Sequence, residues 1–444
     1  MRYTYPIVMI ICSLIIACAQ TGADQESFTD NPWSGSNVGK ADIYGDDSRH
    51  ELNDPEISDK TRELSRSVAM ILNVSSIFDI SDTEIVLNST TLNDKVQSET
   101  GAPLCEEEAF SQQPAPGYCT GFLIAPDLIA TAGHCVNKHT RCEKMAFIFD
   151  YAKKLPNEEI RRVPRDQFYR CESLIARVYN PFEEYAEILS GELWYDWAVM
   201  RLDRPVTDRA PVTLMSGDRL LRGAKVQAIG HPMGIAMKVT NGDVIADDKD
   251  RFMNTNLDIY QGNSGSPVFN PVDGHVHGIV TRGSGGNSFE VTRAGCTRSK
   301  HCDQVGDPGC IGNHVSRIDP LYLFADHPFD IVERHSLVED DGSPISRYSF
   351  TFDEEKTVSF VTLHLNGGAL ESKKLKILLH HQGDRVTMMN HPVKLPYGRW
   401  TATTDLFKGH LSQGEWIIEI IDEGGGNPYI EWAQVMIGVE GSSN

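Results

Sequence analysis

Cys119-Thr-Gly-Phe-Leu-Ile-Ala-Pro-Asp-Leu-Ile-Ala-Thr-Ala-Gly-His134-Cys135 is the stretch on which the fold turns. Two short apolar runs flank Pro126-Asp127, a pair that favours a turn, so the segment reads as two β-strands ending in Thr131-Ala132-Gly133-His134-Cys135. A disulfide between Cys119 and Cys135 would staple the loop that carries His134, and a loop of that size is worth about 3 kcal/mol by the chain-entropy estimate. It would also hold the imidazole still, as a general base requires. Elsewhere up to about Phe324 the apolar runs are equally short, as in Val226-Gln227-Ala228-Ile229 before Gly230. Strands do not alternate with helices, so the class is all-β.

Two further motifs carry chemistry. In Asp196-Trp197-Ala198-Val199-Met200-Arg201-Leu202 an acidic residue stands at the mouth of an apolar strand. Buried against His134, its carboxylate would accept the Nδ1 proton, fix the tautomer and stabilise the imidazolium. In Gly262-Asn263-Ser264-Gly265-Ser266-Pro267 glycines on both sides of the serine permit a sharp turn and close approach of a substrate. The N–H groups of Gly262 and Ser264 could then converge as an oxyanion hole. A lone histidine beside a cysteine is commonly structural, a lone Gly-x-Ser-Gly is commonly a turn, and an aspartate alone can cap a strand. The three together in this order point to acyl transfer by a serine nucleophile.

These motifs and their His, Asp, Ser order resemble the chymotrypsin-like serine peptidases. The likeness is greatest to the bacterial branch around staphylococcal V8 glutamyl endopeptidase, which shares Gly-Asn-Ser-Gly-Ser-Pro-Val-Phe at residues 262–269. Ile43-Tyr44-Gly45-Asp46-Asp47-Ser48-Arg49-His50 is similar to the start of the mature enzyme in that branch. The resemblance covers roughly 43–325 and implies a double β-barrel, a catalytic triad of His134, Asp196 and Ser264, an oxyanion hole at Gly262 and Ser264, protein or peptide substrates and no cofactor. A neutral Asn263 cannot pair with a newly cut N-terminus as the Asp of animal trypsins does.

Asp258 lies six residues before Ser264, the spacing at which trypsins carry the aspartate of the S1 pocket floor. On that resemblance the pocket wall would be Gly278-Ile-Val280-Thr281-Arg282-Gly283, with Val280, Thr281 and Gly283 facing substrate, and cleavage would follow Arg or Lys. Alternatively Asp258 is a strand residue paired locally with a cation. Val280 stands where glutamyl enzymes carry a histidine, which speaks against glutamyl specificity.

The 444 residues carry a net charge of −21, which excludes the concentrated Lys and Arg that phosphate backbones need and sets nucleic acid aside as a partner. Arg2 and an apolar run from Pro6 to Ala17 have the shape of a signal peptide. Leu14-Ile15-Ile16-Ala17-Cys18 resembles a bacterial lipobox, making Cys18 the candidate lipid-bearing residue and a lipid anchor the expected membrane contact. The segment 19–42 reads as a tether or propeptide. An exported protein is expected, either an outer-membrane or surface lipoprotein or one secreted after cleavage, and a monomer. Eight cysteines remain beyond Cys12 and Cys18, an even set that suits four disulfides in an oxidising compartment. They form no Cys-x-x-Cys pair, so no metal is expected.

After about Ala325 the character changes, and 336–440 reads as a second β domain, a sandwich or jelly roll. Leu375–Asp384, Gly409–Asp422 and Glu431–Gly438 resemble strands of the P (homo B) domain that follows the catalytic domain in proprotein convertases. The expected role is to stabilise the protease or bind a partner. His380-His381 reads as a solvated strand end, because adjacent strand residues point to opposite faces and make a poor metal pair. The rival function is a surface lipoprotein with an inactive protease fold acting as a binding module. An esterase is disfavoured by the all-β setting of Ser264, since serine esterases generally place the nucleophile on a strand-to-helix elbow.

Overall fold

The computed structural model describes residues 43–440 apart from 137–140, 156–157, 179–195, 216–218, 248–251, 284–287, 308–309, 319–320, 326–328, 338–344, 368–369, 396–397, 405 and 424–429. The signal-like segment, the tether and Cys18 lie outside the described residues.

The first barrel is built from β1 (Val68–Asn73), β2 (Gly117–Ala125), β3 (Leu128–Thr131), β4 (Met145–Phe149), β5 (Phe168–Val178) and β6 (Trp197–Leu202). They close in the order β5-β6-β3-β2-β1-β4. Strand periodicity sends successive side chains to opposite faces, and here both faces are covered. Met70 and Leu72 meet Ile148 and Phe168 on one side, while Ile71 and Phe147 join the larger core on the other. That is why β1 and β4 read as unbroken apolar runs, each fully buried large side chain contributing roughly 1.5–3 kcal/mol.

The second barrel comprises β7 (Lys225–Gly230), β8 (Lys238–Ala246), β9 (Phe252–Thr255), β10 (Pro267–Phe269), β11 (Val276–Arg282) and β12 (Asn313–Arg317). Its order is β7-β10-β11-β12-β9-β8, closed by pairing of β7 with β8. The expected double barrel is therefore present. Helices also pack outside it. In α1 (Asp59–Ser65) the Ser58 side chain accepts from Thr61 N–H. Helix α2 (Leu92–Thr100) opens on a capping box between Thr91 and Asp94 and stops at left-handed Gly101, and it sets Leu92 and Val96 against Met233, Ile235 and Tyr260. All eight cysteines of the described part pair: Cys105–Cys296, Cys119–Cys135, Cys142–Cys171 and Cys302–Cys310.

The C-terminal part is an eight-stranded sandwich. Strands β13 (Phe329–Leu337), β20 (Ile430–Glu440), β15 (Val358–Gly367) and β18 (Gly398–Thr404) form one sheet. Strands β14 (Ile345–Phe352), β19 (Gly414–Asp422), β16 (Leu370–His381) and β17 (Asp384–Leu395) form the other. It begins at Phe329, earlier than the sequence pattern suggests, because β13 pairs with β20 along its whole length. Its core is a cluster of its own, and Phe360 and Met436 join that of the first barrel instead. Phe360 lies 4.7 Å from Phe324, whose ring is 5.8 Å from that of Trp197. His381 is not solvated. It is 2% exposed and stacks 3.7 Å from Trp416, while His380 points the other way to Glu419.

Candidate active site

His134 follows β3 in a short 3-10 turn, and Asp196 immediately precedes β6, the strand paired with β3. Strand pairing thus brings the two side chains together. The Asp196 carboxylate takes His134 at two points: Oδ2 lies 2.8 Å from Nδ1, and Oδ1 accepts the His134 backbone N–H at 3.0 Å. The carboxylate is 2% exposed. Burial alone would raise its pKa, but the His134 contacts and the positive charge of Arg282 outweigh it and hold Asp196 below the usual carboxylate range. Arg177 adds a hydrogen bond to the Gly133 carbonyl at 2.7 Å, bracing the turn from outside.

Ser264 sits in a loop fixed against the same strands. Thr120 N–H donates to its carbonyl at 2.9 Å, and the Cys135 sulfur lies 3.6 Å from that oxygen. The disulfide therefore joins the strand below the serine to the turn that holds the histidine. Both of its sulfurs are committed to the bridge, so the cluster of Cys119, His134 and Cys135 cannot offer thiolates to a metal. Gly262 has φ 92°, and a Cβ there would come within 2.5 Å of the His231 carbonyl, so no other residue fits.

The orientation of the peptide before Gly262 decides whether an oxyanion hole exists. Gln261 C=O accepts the N–H of Met233, and no cis bond is present among the described residues, so the Gly262 N–H points away from Met233. The next carbonyl, Gly262 C=O, accepts the Thr120 hydroxyl at 2.8 Å, and that hydroxyl in turn accepts the His231 N–H at 3.0 Å. The turn His231–Gly234 that follows β7 thus underlies the loop. Met233 in it has φ 53°, a left-handed conformation that costs a side-chain-bearing residue roughly 1–2 kcal/mol. His231 is wholly buried, and burial pushes it down to about 3, so it is neutral there.

Of the expected pocket residues, Val280 exchanges backbone hydrogen bonds with the serine loop, receiving from Gly265 and donating to Ser266. The Thr281 hydroxyl donates to the His314 carbonyl at 3.2 Å, and Gly283 is buried at the end of β11. Asp258 differs from expectation. Its carboxylate is 1% exposed and accepts from Tyr44 N–H, Ser48 N–H and the Ser48 hydroxyl, each at 2.7 Å. The reading of Asp258 as an open pocket floor is therefore corrected: the chain's own N-terminal segment occupies the carboxylate, which burial pushes above its usual pKa against the pull of these bonds. Arg49 fixes the same segment, its guanidinium lying 4.4 Å from the Tyr260 ring and 2.6 Å from Asp47. The sequence reading missed Thr120 and the His231–Gly234 turn. A threonine in a strand looks like an ordinary β-former, and His-Pro-Met-Gly reads only as punctuation.

Residues 119–279 match the model of the trypsin-like peptidase domain. A probable periplasmic serine endoprotease, DegP-like, from Marinomonas sp. (strain MWYL1) is 33% identical over 183 residues, 38% of this chain and 37% of that protein. The snake venom serine protease ussurin from Gloydius ussuriensis is 34% identical over 103 residues, 22% of this chain and 36% of its own. The chain thus spans little more than a third of the length of either relative. A solved Glu endopeptidase in complex with MPD covers 62% of this chain and 93% of its own, at 16% identity and a TM-score of 0.33.

Proposed function

We propose that this chain, which carries a chymotrypsin-like serine peptidase domain, is an exported serine endopeptidase in which Ser264 is the nucleophile, His134 the general base and Asp196 the carboxylate that orients it. The observation that carries the reading is the double grip of Asp196 on the Nδ1 and the backbone N–H of His134. With Nδ1–H given to Asp196, Nε2 is left as the acceptor for the serine proton. Ser264 Oγ adds to the scissile carbonyl as that proton passes to His134, and the new oxyanion lies on the N–H groups of Gly262 and Ser264. His134 then protonates the leaving amine. Water, deprotonated by the same imidazole, releases the acyl group.

Asp258 acts in this proposal as the anchor of Ile43–Arg49, so cleavage after Arg or Lys is not part of it. Export agrees with the four disulfides and with relatives named as periplasmic. Cys18 is the proposed lipid attachment, and the sandwich is proposed to stabilise the peptidase as a P-like domain. The test compares the protein starting at Ile43 with its Ser264→Ala variant, using a fluorophosphonate probe and a mixed peptide library whose cuts are sequenced. Labelling and cutting by the wild type, both absent from the variant, are expected. Proteolysis retained by pure Ser264→Ala, or a wild type that neither labels nor cuts, refutes the proposal.

A further inference from the structure

Met233 is held from both sides. Its N–H donates to the Gln261 carbonyl, and its own carbonyl accepts the ammonium of Lys95 at 2.8 Å. The same ammonium reaches the Gly117 carbonyl at 3.1 Å, where β2 begins. The two carbonyls converge because the backbones touch: a Cβ on Gly234 would lie 2.0 Å from the Gly117 oxygen. Lys95 projects from α2, whose Leu92 and Val96 pack in one apolar cluster with Met233 itself. Burial pushes the Lys95 ammonium down to about 8 against the opposing pull of Glu99, which leaves it mostly charged at neutral pH.

We propose that Lys95 is a positioning residue for the oxyanion hole: by holding the Met233 carbonyl it keeps Met233 left-handed, so that the Met233 N–H holds Gln261 C=O and turns the Gly262 N–H toward the reacting carbonyl. A surface helix, outside both barrels, thereby controls the peptide on which the tetrahedral intermediate depends. Without the ammonium, Met233 relaxes toward the right-handed region, its N–H swings away, and the Gln261–Gly262 peptide is free to rotate. The same donor groups then exist but are aimed elsewhere, which lowers the rate of the chemical step and leaves ground-state binding alone.

The inference rests on the proposed acyl-transfer reaction, and its test separates the two. Wild type, Lys95→Met and Lys95→Arg are prepared as the whole protein starting at Ile43, with Lys95→Gln in reserve should Lys95→Met not fold. A fluorophosphonate is used as probe, because its phosphonyl oxygen takes the same donors, and the maximal labelling rate is resolved from the binding constant well below each melting temperature. Loss of a single oxyanion donor costs about 10²–10³-fold in known cases, and misaiming one is expected to slow Lys95→Met about tenfold or more with binding changed less than about twofold. Lys95→Arg, which keeps a donor, is expected to label faster than Lys95→Met. Wild-type labelling by Lys95→Met, or a loss confined to binding, overturns the proposal. A crystal structure of Lys95→Met gives a readout independent of activity: the Gln261 carbonyl is expected to leave Met233, and an unchanged peptide overturns the proposal. A wild type that fails to label refutes the acyl-transfer reading, while the crystal comparison still judges the Lys95 link.

Discussion

Thr120→Val removes one hydroxyl and almost no volume. That hydroxyl is fully buried, accepts from His231 N–H at 3.0 Å and donates to Gly262 C=O at 2.8 Å. Valine strands both partners, and each buried polar group left unpaired costs about 1–3 kcal/mol, so a loss of about 2–6 kcal/mol is expected. For a protein of this size each kcal/mol lowers the melting temperature by about 1–2 °C, giving a fall of at least about 2 °C. Thr120→Ser keeps the hydroxyl and loses a buried methyl, for about 1 kcal/mol. Urea unfolding of both variants in a Ser264→Ala background, which lacks the proposed nucleophile, measures the difference. If Thr120→Val lies within 1 kcal/mol of the parent, or if serine costs as much as valine, the hydroxyl does not bridge the two loops.

Asp196→Asn leaves the shape of the site and loses the charge that orients His134, so turnover of a peptide substrate should fall on the order of 10⁴-fold at neutral pH with the melting temperature little changed. His231, whose folded pKa of about 3 lies below the ordinary value near 6.5, takes up its proton more readily when unfolded. Its contribution therefore turns unfavourable as pH falls below about 6.5, reaching about 2 kcal/mol at pH 5 and growing until about pH 3. In His231→Phe the stability difference between pH 7 and pH 5, read from urea unfolding, should shrink by that amount. Phe360→Ala empties a fully buried position between sandwich and barrel and should cost about 3–5 kcal/mol, measured by calorimetry.

The barrels were legible because their strands are short, apolar and separated by turn residues, a pattern that survives without knowledge of partners. The hairpin before His134 and its Cys119–Cys135 staple belong to that class, since every determinant lies within the segment itself. Asp258 was misread for the opposite reason. Spacing from Ser264 locates it along the chain, but what fills its acceptors comes from Tyr44 and Ser48, more than 200 residues away. Lys95 likewise looks like a solvated helix residue until the turn at Met233 is placed beside it. His381 was assigned to solvent by strand alternation alone, which tells that neighbours face opposite ways but not which of the two faces the core.

The docking of Ile43–Glu51 has a consequence for the timing of synthesis. Ile43-Tyr44 runs parallel to His301-Cys302, His50-Glu51 adds an edge to β8, and Tyr44 binds Asp258 across 214 residues. The first barrel, by contrast, uses a continuous stretch from β1 to β6, whose strands pair only with one another. At about 5–20 residues per second, Ile43–Glu51 is made about 10–40 s before Asp258 exists to receive it. Ile43–Glu51 is thus fully seated only after Asp258, His301 and Cys302 have been made.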